Sequence, residues 1–337
     1  MKTVKEKLFE KVYAMENLKL AYHDSKLGRA TRKSVQKFEK DIEGNLKNIQ
    51  ASLINHTFKT SEYKSKVIYE PKQRTIYILP YNPDRIVQHA LMNVLIPYFT
   101  KHFIFDSYAC VEGRGQMKAS QRTMCAVRRN KYCLKCDIHH FYPSINQTIL
   151  FDMLKRKFKD EELLWLIKDI VFSFPGNHNC PIGNYTSQWF GNYYLTELDY
   201  YCKHVLHCND YIRYCDDFLL FSNDKTYLHD CRVRIKEFIE SNLDLEFSKS
   251  DVFNTKQGVD FCGYRHFNNY ILVRKSTAQR EIKIIKEIKE NIDNGIDFNE
   301  ARARVDSIAG WIAHANSYNL RKKMELDDVR ARITSRI

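Results

Sequence analysis

The chain has 337 residues, 44% of them hydrophobic, enough for two or three subdomains with cores of their own, and no apolar stretch approaches the ~20 residues of a membrane span. With 54 Lys+Arg against 41 Asp+Glu the net charge is +13, which suits a polyanionic partner held in a salt-sensitive way, although basic proteins without nucleic acid are also common. Ten cysteines at irregular spacing, in a large chain with no leader peptide, argue for reduced thiols and a cytoplasmic protein rather than a disulfide scaffold.

Residues 1–60 read as helices, because Leu8, Val12, Met15 and Leu18, and again Phe38, Ile42, Leu46 and Ile49, recur at helical spacing. Residues 1–40 hold eleven basic and five acidic side chains, so this end either touches nucleic acid or a partner, or is a solvated helix face. Residues 66–80 alternate at period two around a charged turn, a hairpin pattern. A helix opens at Asp84 and runs to about Leu95; a loop with Gly113-Arg114-Gly115 follows, then a helix over 116–129. A β-prone run from Tyr132 ends in Asp137, followed by helix over 144–173 and a loop at Pro175-Gly176-Asn177. The segment Ile182–Gln188 enters an aromatic helix, Trp189 through Tyr201, in which Trp189 and Tyr193 read as core. A hairpin around Tyr214-Cys215-Asp216-Asp217, a helix over 226–242, a strand over 244–253, a hairpin over 258–273 and three terminal helices complete the chain. Ile282, Ile285, Ile288 and Ile292 form the apolar stripe of the first of those helices.

Adjacent carboxylates at a hairpin tip repel each other, so Asp216 and Asp217 are either a solvated polar turn or the neighbours of a cation. Asp137 ends a strand in similar surroundings. A strand-end acid meeting a hairpin-tip acid makes a site for two magnesium ions about 3.5–4 Å apart, suited to in-line phosphoryl transfer. Cys133 and Cys136, with His139 and His140 nearby, invite a zinc reading; lacking a second pair at zinc-ribbon spacing, they read better as buried thiols in a strand.

Taken together, Asp137 with Phe141-Tyr142-Pro143-Ser144-Ile145, then Ile182-Gly183-Asn184-Tyr185-Thr186-Ser187-Gln188, Tyr214-Cys215-Asp216-Asp217, Phe247-Ser248-Lys249 and Phe261-Cys262-Gly263-Tyr264 resemble the motifs of reverse transcriptases in their usual order. Within that family the likeness is greatest to reverse transcriptases of diversity-generating retroelements, whose middle motif reads aliphatic-Gly-x-x-x-Ser-Gln where most relatives have Gln-Gly-x-x-x-Ser-Pro. The tail Ser307–Ser317 resembles theirs as well. Retron enzymes share the core, but their distinguishing motifs are not found.

The resemblance implies an α+β right-hand polymerase fold: a basic helical region over 1–60, fingers and palm over 61–273 with an antiparallel sheet carrying the acids, and a helical thumb over 274–337. It implies two Mg2+ ions held by Asp137, Ile138, Asp216 and Asp217, with Lys249 at the pyrophosphate leaving group or in a structural salt bridge. Arg74, with Lys72 second, matches the basic residue that holds the incoming dNTP. Tyr142 stands where the family excludes a ribose 2′-hydroxyl, and Ile182, Gly183, Gln188 and Tyr214 complete the substrate side. Template RNA, a cDNA or DNA primer and a pentameric accessory variability determinant are the implied partners, with no membrane. An aliphatic Ile182 in place of a hydrogen-bonding glutamine removes a polar constraint on the nucleotide, so copying should be error-prone at template adenines in mutagenic retrohoming. The alternatives are an antiviral defence enzyme of abortive-infection or retron-like type, and a catalytically silent RNA-binding scaffold.

Overall fold

Short amphipathic repeats make the first part of the chain helical. In the computed structural model, which describes residues 3–69 and 73–336, α1 (Phe9–Tyr13), α2 (Met15–Lys26), α3 (Lys33–Glu39) and α4 (Ile42–Ile54) follow one another. Leu8, Val12, Leu18, Phe38, Leu46 and Ile49 are all buried, as their spacing requires. Asp41 caps α4 by accepting from the Gly44 N–H at 2.9 Å. Strands β1 (Lys64–Ile68) and β2 (Arg74–Ile78) pair antiparallel, with Lys66 opposite Ile76. A widened turn at Tyr81–Arg85 leads into α5 (Ile86–Thr100), which passes Leu95 because its apolar face continues to the buried Phe99.

Next come α6 (Gln116–Arg129) and β3 (Tyr132–Ile138). Helix is expected over 144–173, but three separate pieces form: α7 (Phe141–Ser144), α8 (Gln147–Lys157) and α9 (Glu161–Val171). The breaks are N-caps. Asn146 accepts from the N–H groups of Thr148 and Ile149, and Asp160 from that of Leu163, so each residue starts a new helix. The aromatic helix is likewise divided, into α10 (Tyr185–Tyr194) and α11 (Thr196–Tyr200), and both Trp189 and Tyr193 are core.

Strands β4 (Asp210–Tyr214) and β5 (Asp217–Ser222) form the expected hairpin, followed by α12 (Lys225–Leu243) and β6 (Phe247–Asn254). Where one hairpin is expected over 258–273, three strands make an antiparallel meander: β7 (Val259–Phe261), β8 (Tyr264–His266) and β9 (Ile271–Val273). Four terminal helices, not three, are present among the described residues: α13 (Lys275–Asn291), α14 (Phe298–Ala313), α15 (Tyr318–Met324) and α16 (Leu326–Thr334). Ile285, Ile288 and Ile292 of the expected stripe join Val305, Ile308, Ile312, Val329 and Ile333 in their shared core, and Ile282 packs against it.

The larger sheet runs β4-β5-β3-β6, the meander β7-β8-β9 stands as a second sheet, and β1-β2 as a third, so the class is α+β. Two compact units divide the chain: residues 1–110, 137–207 and 233–249 form one, and 111–136, 208–232 and 250–337 the other. No described helix is long and apolar enough to cross a membrane.

Candidate active site

The β4–β5 hairpin builds its tip from two residues. Tyr214 pairs with Asp217, leaving Cys215 and Asp216 as the turn. Cys215 has a φ of +55°, a conformation that glycine adopts freely and a cysteine only at a cost of order 1–3 kcal/mol. Beneath it, the fully buried Arg213 donates from Nη1 to the Cys215 carbonyl at 3.0 Å, so a guanidinium in an otherwise apolar strand braces the tip. Asp216 is half-buried in the turn, and Asp217 opens β5.

Lys135 on β3 meets that hairpin. Its Nζ lies 3.4 Å from Asp217 Oδ2 and donates to the Asp260 carbonyl at 2.6 Å. Arg274 pairs with Asp260 in turn. Alternation along a strand puts Asp137 on the same face of β3 as Lys135. Asp137 is half-buried and is held by Ser248 of β6, whose Oγ lies 2.7 Å from Asp137 Oδ2 and 3.1 Å from its carbonyl oxygen. Ile138 is buried, and with a hydrocarbon side chain its main-chain carbonyl is the one oxygen it has to offer. Lys249 follows Ser248 on β6 with its side chain exposed.

Cys133 and Cys136 are both buried, and burial pushes their thiols far above the ordinary value, which suits small core residues and not zinc thiolates. Among the described residues, no three or more His, Cys, Asp or Glu side chains are grouped so as to hold a metal ion.

In the unit that also holds Asp137 and Ser248, the β1–β2 hairpin is fastened to the Ile182–Gln188 segment. The Tyr77 N–H donates to the Ile182 carbonyl at 2.7 Å. Gly183 has a φ of +126°, and a Cβ there would stand 2.0 Å from the Tyr77 carbonyl oxygen, so glycine is required twice over. Tyr77 packs on Phe174 with ring centroids 4.7 Å apart, and Asn184 donates to the Tyr63 hydroxyl at 2.7 Å. Arg74 begins β2 with an exposed side chain, while Lys72 lies outside the described residues. Gln188 is exposed on α10, 3.7 Å from the Cys110 sulfur. Tyr142 is half-buried on α7, and its ring would lie 3.0 Å from a Cβ on Gly191, so that glycine makes room for it.

The Phe261–Tyr264 turn is gripped by the C-terminal end of α14. Trp311 stacks on Tyr264 at 5.1 Å, and a Cβ on Gly263, whose φ is +83°, would reach its ring at 2.5 Å. The Tyr264 hydroxyl donates to the Trp311 carbonyl at 2.7 Å. Ser120 lies between two histidines, 2.6 Å from His266 Nε2 and 2.8 Å from His314 Nε2. Because His266 Nδ1 faces the Val259 carbonyl at 3.0 Å, Nδ1 carries the proton, Nε2 accepts from Ser120, and Ser120 accepts from His314.

Sequence reasoning missed Arg213, Lys135, Ser248 and Gly191. Lys135 and Ser248 carried a signal, since strand parity joins the first to Asp137 and the second adjoins Lys249. An arginine inside an apolar strand carries none.

Residues 70–266, more than half of the chain, match the family model described as reverse transcriptase, RNA-dependent DNA polymerase. The chain is 25% identical over 299 residues to the retron Ec73 reverse transcriptase of Escherichia coli, covering 79% of this chain and 90% of that protein. It is 23% identical over 162 residues to nuclear intron maturase 4, mitochondrial, of Arabidopsis thaliana, covering 45% of this chain and 20% of that one. The chain therefore belongs to the reverse transcriptase family and is an RNA-directed DNA polymerase.

Proposed function

We propose that this polymerase serves a diversity-generating retroelement, copying a template RNA into cDNA with errors directed to template adenines. The observation that carries the reading is the segment Ile182–Gln188, with an aliphatic residue before the glycine and Ser187-Gln188 at its end. Its support in this protein is the bond from Tyr77 of β2 to the Ile182 carbonyl, which ties this segment to the strand that Arg74 begins. An isoleucine offers the nucleotide shape but no hydrogen bond, and apolar contact discriminates weakly between bases.

In this reading Asp137 and Asp216 are the ligands of two Mg2+ ions, Asp217 supports them, and Ile138 lends its main-chain carbonyl. The donors fit: all are hard oxygens, and magnesium as a rule takes one or two carboxylates together with substrate phosphates rather than an all-protein cage. Bound there, the ions would lower the pKa of the primer 3′-hydroxyl and neutralise charge on the triphosphate. Arg74, with Lys72, grips the triphosphate through its planar fork. Lys249 neutralises or protonates the departing pyrophosphate, Tyr142 excludes a ribose 2′-hydroxyl, and Gly183, Gln188 and Tyr214 line the nucleotide and primer. In this reading residues 1–60 are a basic helical region, 61–273 the fingers and palm together, and 274–337 the helical thumb. The template RNA, the primer and a pentameric accessory protein are the partners, in the cytoplasm.

Primer extension on an RNA template with magnesium tests the site. Asp216→Ala should abolish extension, and retained activity would remove Asp216 from it. Sequencing the cDNA tests the biological role: errors should gather opposite template adenine, and Ile182→Gln should reduce them, whereas an unchanged error spectrum removes that role from Ile182. A second reading, a defence-type enzyme, is favoured by the likeness to the retron Ec73 reverse transcriptase. Flanking DNA separates the two, since a near-identical repeat pair and a small basic accessory protein belong to the retroelement.

A further inference from the structure

Three arginines of the first unit repel one another with no carboxylate paired to them, although Asp24 is near enough to act on His89 and Tyr185. Arg85 ends the widened turn before α5, and Arg29 and Arg32 follow the C-terminal end of α2. The two stretches are fastened to each other, with Ser25 Oγ 2.9 Å from the Tyr81 hydroxyl and the Phe38 ring edge-on to Tyr81 at 5.6 Å. Among the described residues no carboxylate pairs with these guanidinium groups, and Arg85 Nε is buried without a hydrogen-bond partner. Asp84, the adjacent acid, is turned away, its Oδ1 accepting from the Ser61 N–H at 2.9 Å.

The arrangement is costly as it stands. Burial, and next the charge of Arg29, push Arg85 down to about 10, and Arg29 is lowered by burial and then by Arg32. Like charges gathered in partly dehydrated surroundings repel. A buried polar atom without a partner adds to that cost. Beside them His89 is 6% exposed with its Nε2 unpartnered, and its ring stacks on Tyr185 at 3.9 Å and 3°. Tyr185 opens α10 two residues after Gly183, and its N–H donates to Gln88 at 2.9 Å, so the arginines adjoin the Ile182–Gln188 segment.

We propose that Arg29, Arg32 and Arg85 form a phosphate site that holds a phosphodiester of the RNA strand beside that segment. Planar forks match phosphate oxygens two at a time, and an anion there relieves the repulsion among the three. The inference rests on the polymerase copying RNA and not on which element it serves. The same phosphate chemistry could come from a dNTP, and the test separates the two sources.

Anisotropy of a short fluorescent single-stranded RNA, titrated at several salt concentrations, reads the site directly. For R29Q/R32Q, affinity should fall about 10-fold and the slope of log K against log salt should shrink by about 1–2. The dNTP KM on saturating template should not move. Melting of the double variant should match or exceed wild type, because a repulsion is removed. If the melt drops, R32E at its exposed position decides: RNA affinity must fall further with the melt held. RNA affinity and slope within about two-fold of wild type, in protein whose wild type extends primers, overturn the proposal. A raised dNTP KM with RNA binding unchanged assigns the arginines to the nucleotide and overturns it as well.

Discussion

Gly183 is under two separate constraints, a φ of +126° and the Tyr77 carbonyl 2.0 Å from where a Cβ would be. The atom in the way at 2.0 Å is main chain and cannot swing aside, so Gly183→Ala must either push β2 away or twist the segment that follows. The expected result is a loss of about 2 kcal/mol or more in stability together with a raised dNTP KM. Thermal melting and steady-state kinetics check both, and an unchanged KM would show that β2 and this segment do not act together on the nucleotide. Cys215 makes the opposite case: its φ of +55° is a strain that the surrounding hairpin and Arg213 hold in place. Cys215→Gly should therefore leave the melt equal or higher, yet slow primer extension, because a freer turn holds Asp216 less firmly.

The elements differ in how plainly the sequence showed them. Helices α6 and α12 and strands β3 to β5 fell where periodicity and turn residues placed them, even though α6 buries Ser120 and Thr123 and β4 buries Arg213. The splits of α7 from α8 and of α8 from α9 were hidden, since Asn146 and Asp160 look like ordinary polar positions until their caps are seen. The extra strand of the meander was hidden as well: Phe267 and Tyr270 close a tight turn around two asparagines inside what reads as one hairpin. Asp137, Asp216 and Asp217 were legible as motif residues, whereas the partners that hold two of them, Ser248 and Lys135, depend on strand pairing that periodicity does not give. Trp311 joins α14 to β8, and Trp311→Ala should cost about 2 kcal/mol or more and loosen the Phe261–Tyr264 turn. Hydrogen exchange at the β8 amides is the readout. Protection equal to wild type would mean that the stacking contributes nothing to the turn.

Over the whole molecule, buried and half-buried histidines weaken the fold in acid. His89, His102 and His266 are held at about 4 and His314 is lowered, in every case first by burial. In the unfolded chain they titrate near the ordinary value of 6.5, so below that the unfolded state binds more protons than the folded one. Stability is therefore full above about pH 6.5 and is lost as pH falls toward 4. For His89 and His266 the loss between pH 7 and 5 is on the order of 2 kcal/mol each. Protonating His266 also removes the acceptor that Ser120 uses. Melting temperature should decline steadily over that interval, and a flat profile would show these rings to be hydrated.

The two units are interleaved along the chain, which passes from one to the other after residues 110, 136, 207, 232 and 249. A ribosome therefore cannot release either unit whole before it has made part of the other. The first unit lacks its last segment until residue 249 is synthesised, and the second waits for the C-terminal helices. A chain cut after residue 249 would keep every segment of the first unit, yet would carry the first two segments of the second without the C-terminal helices they pack with.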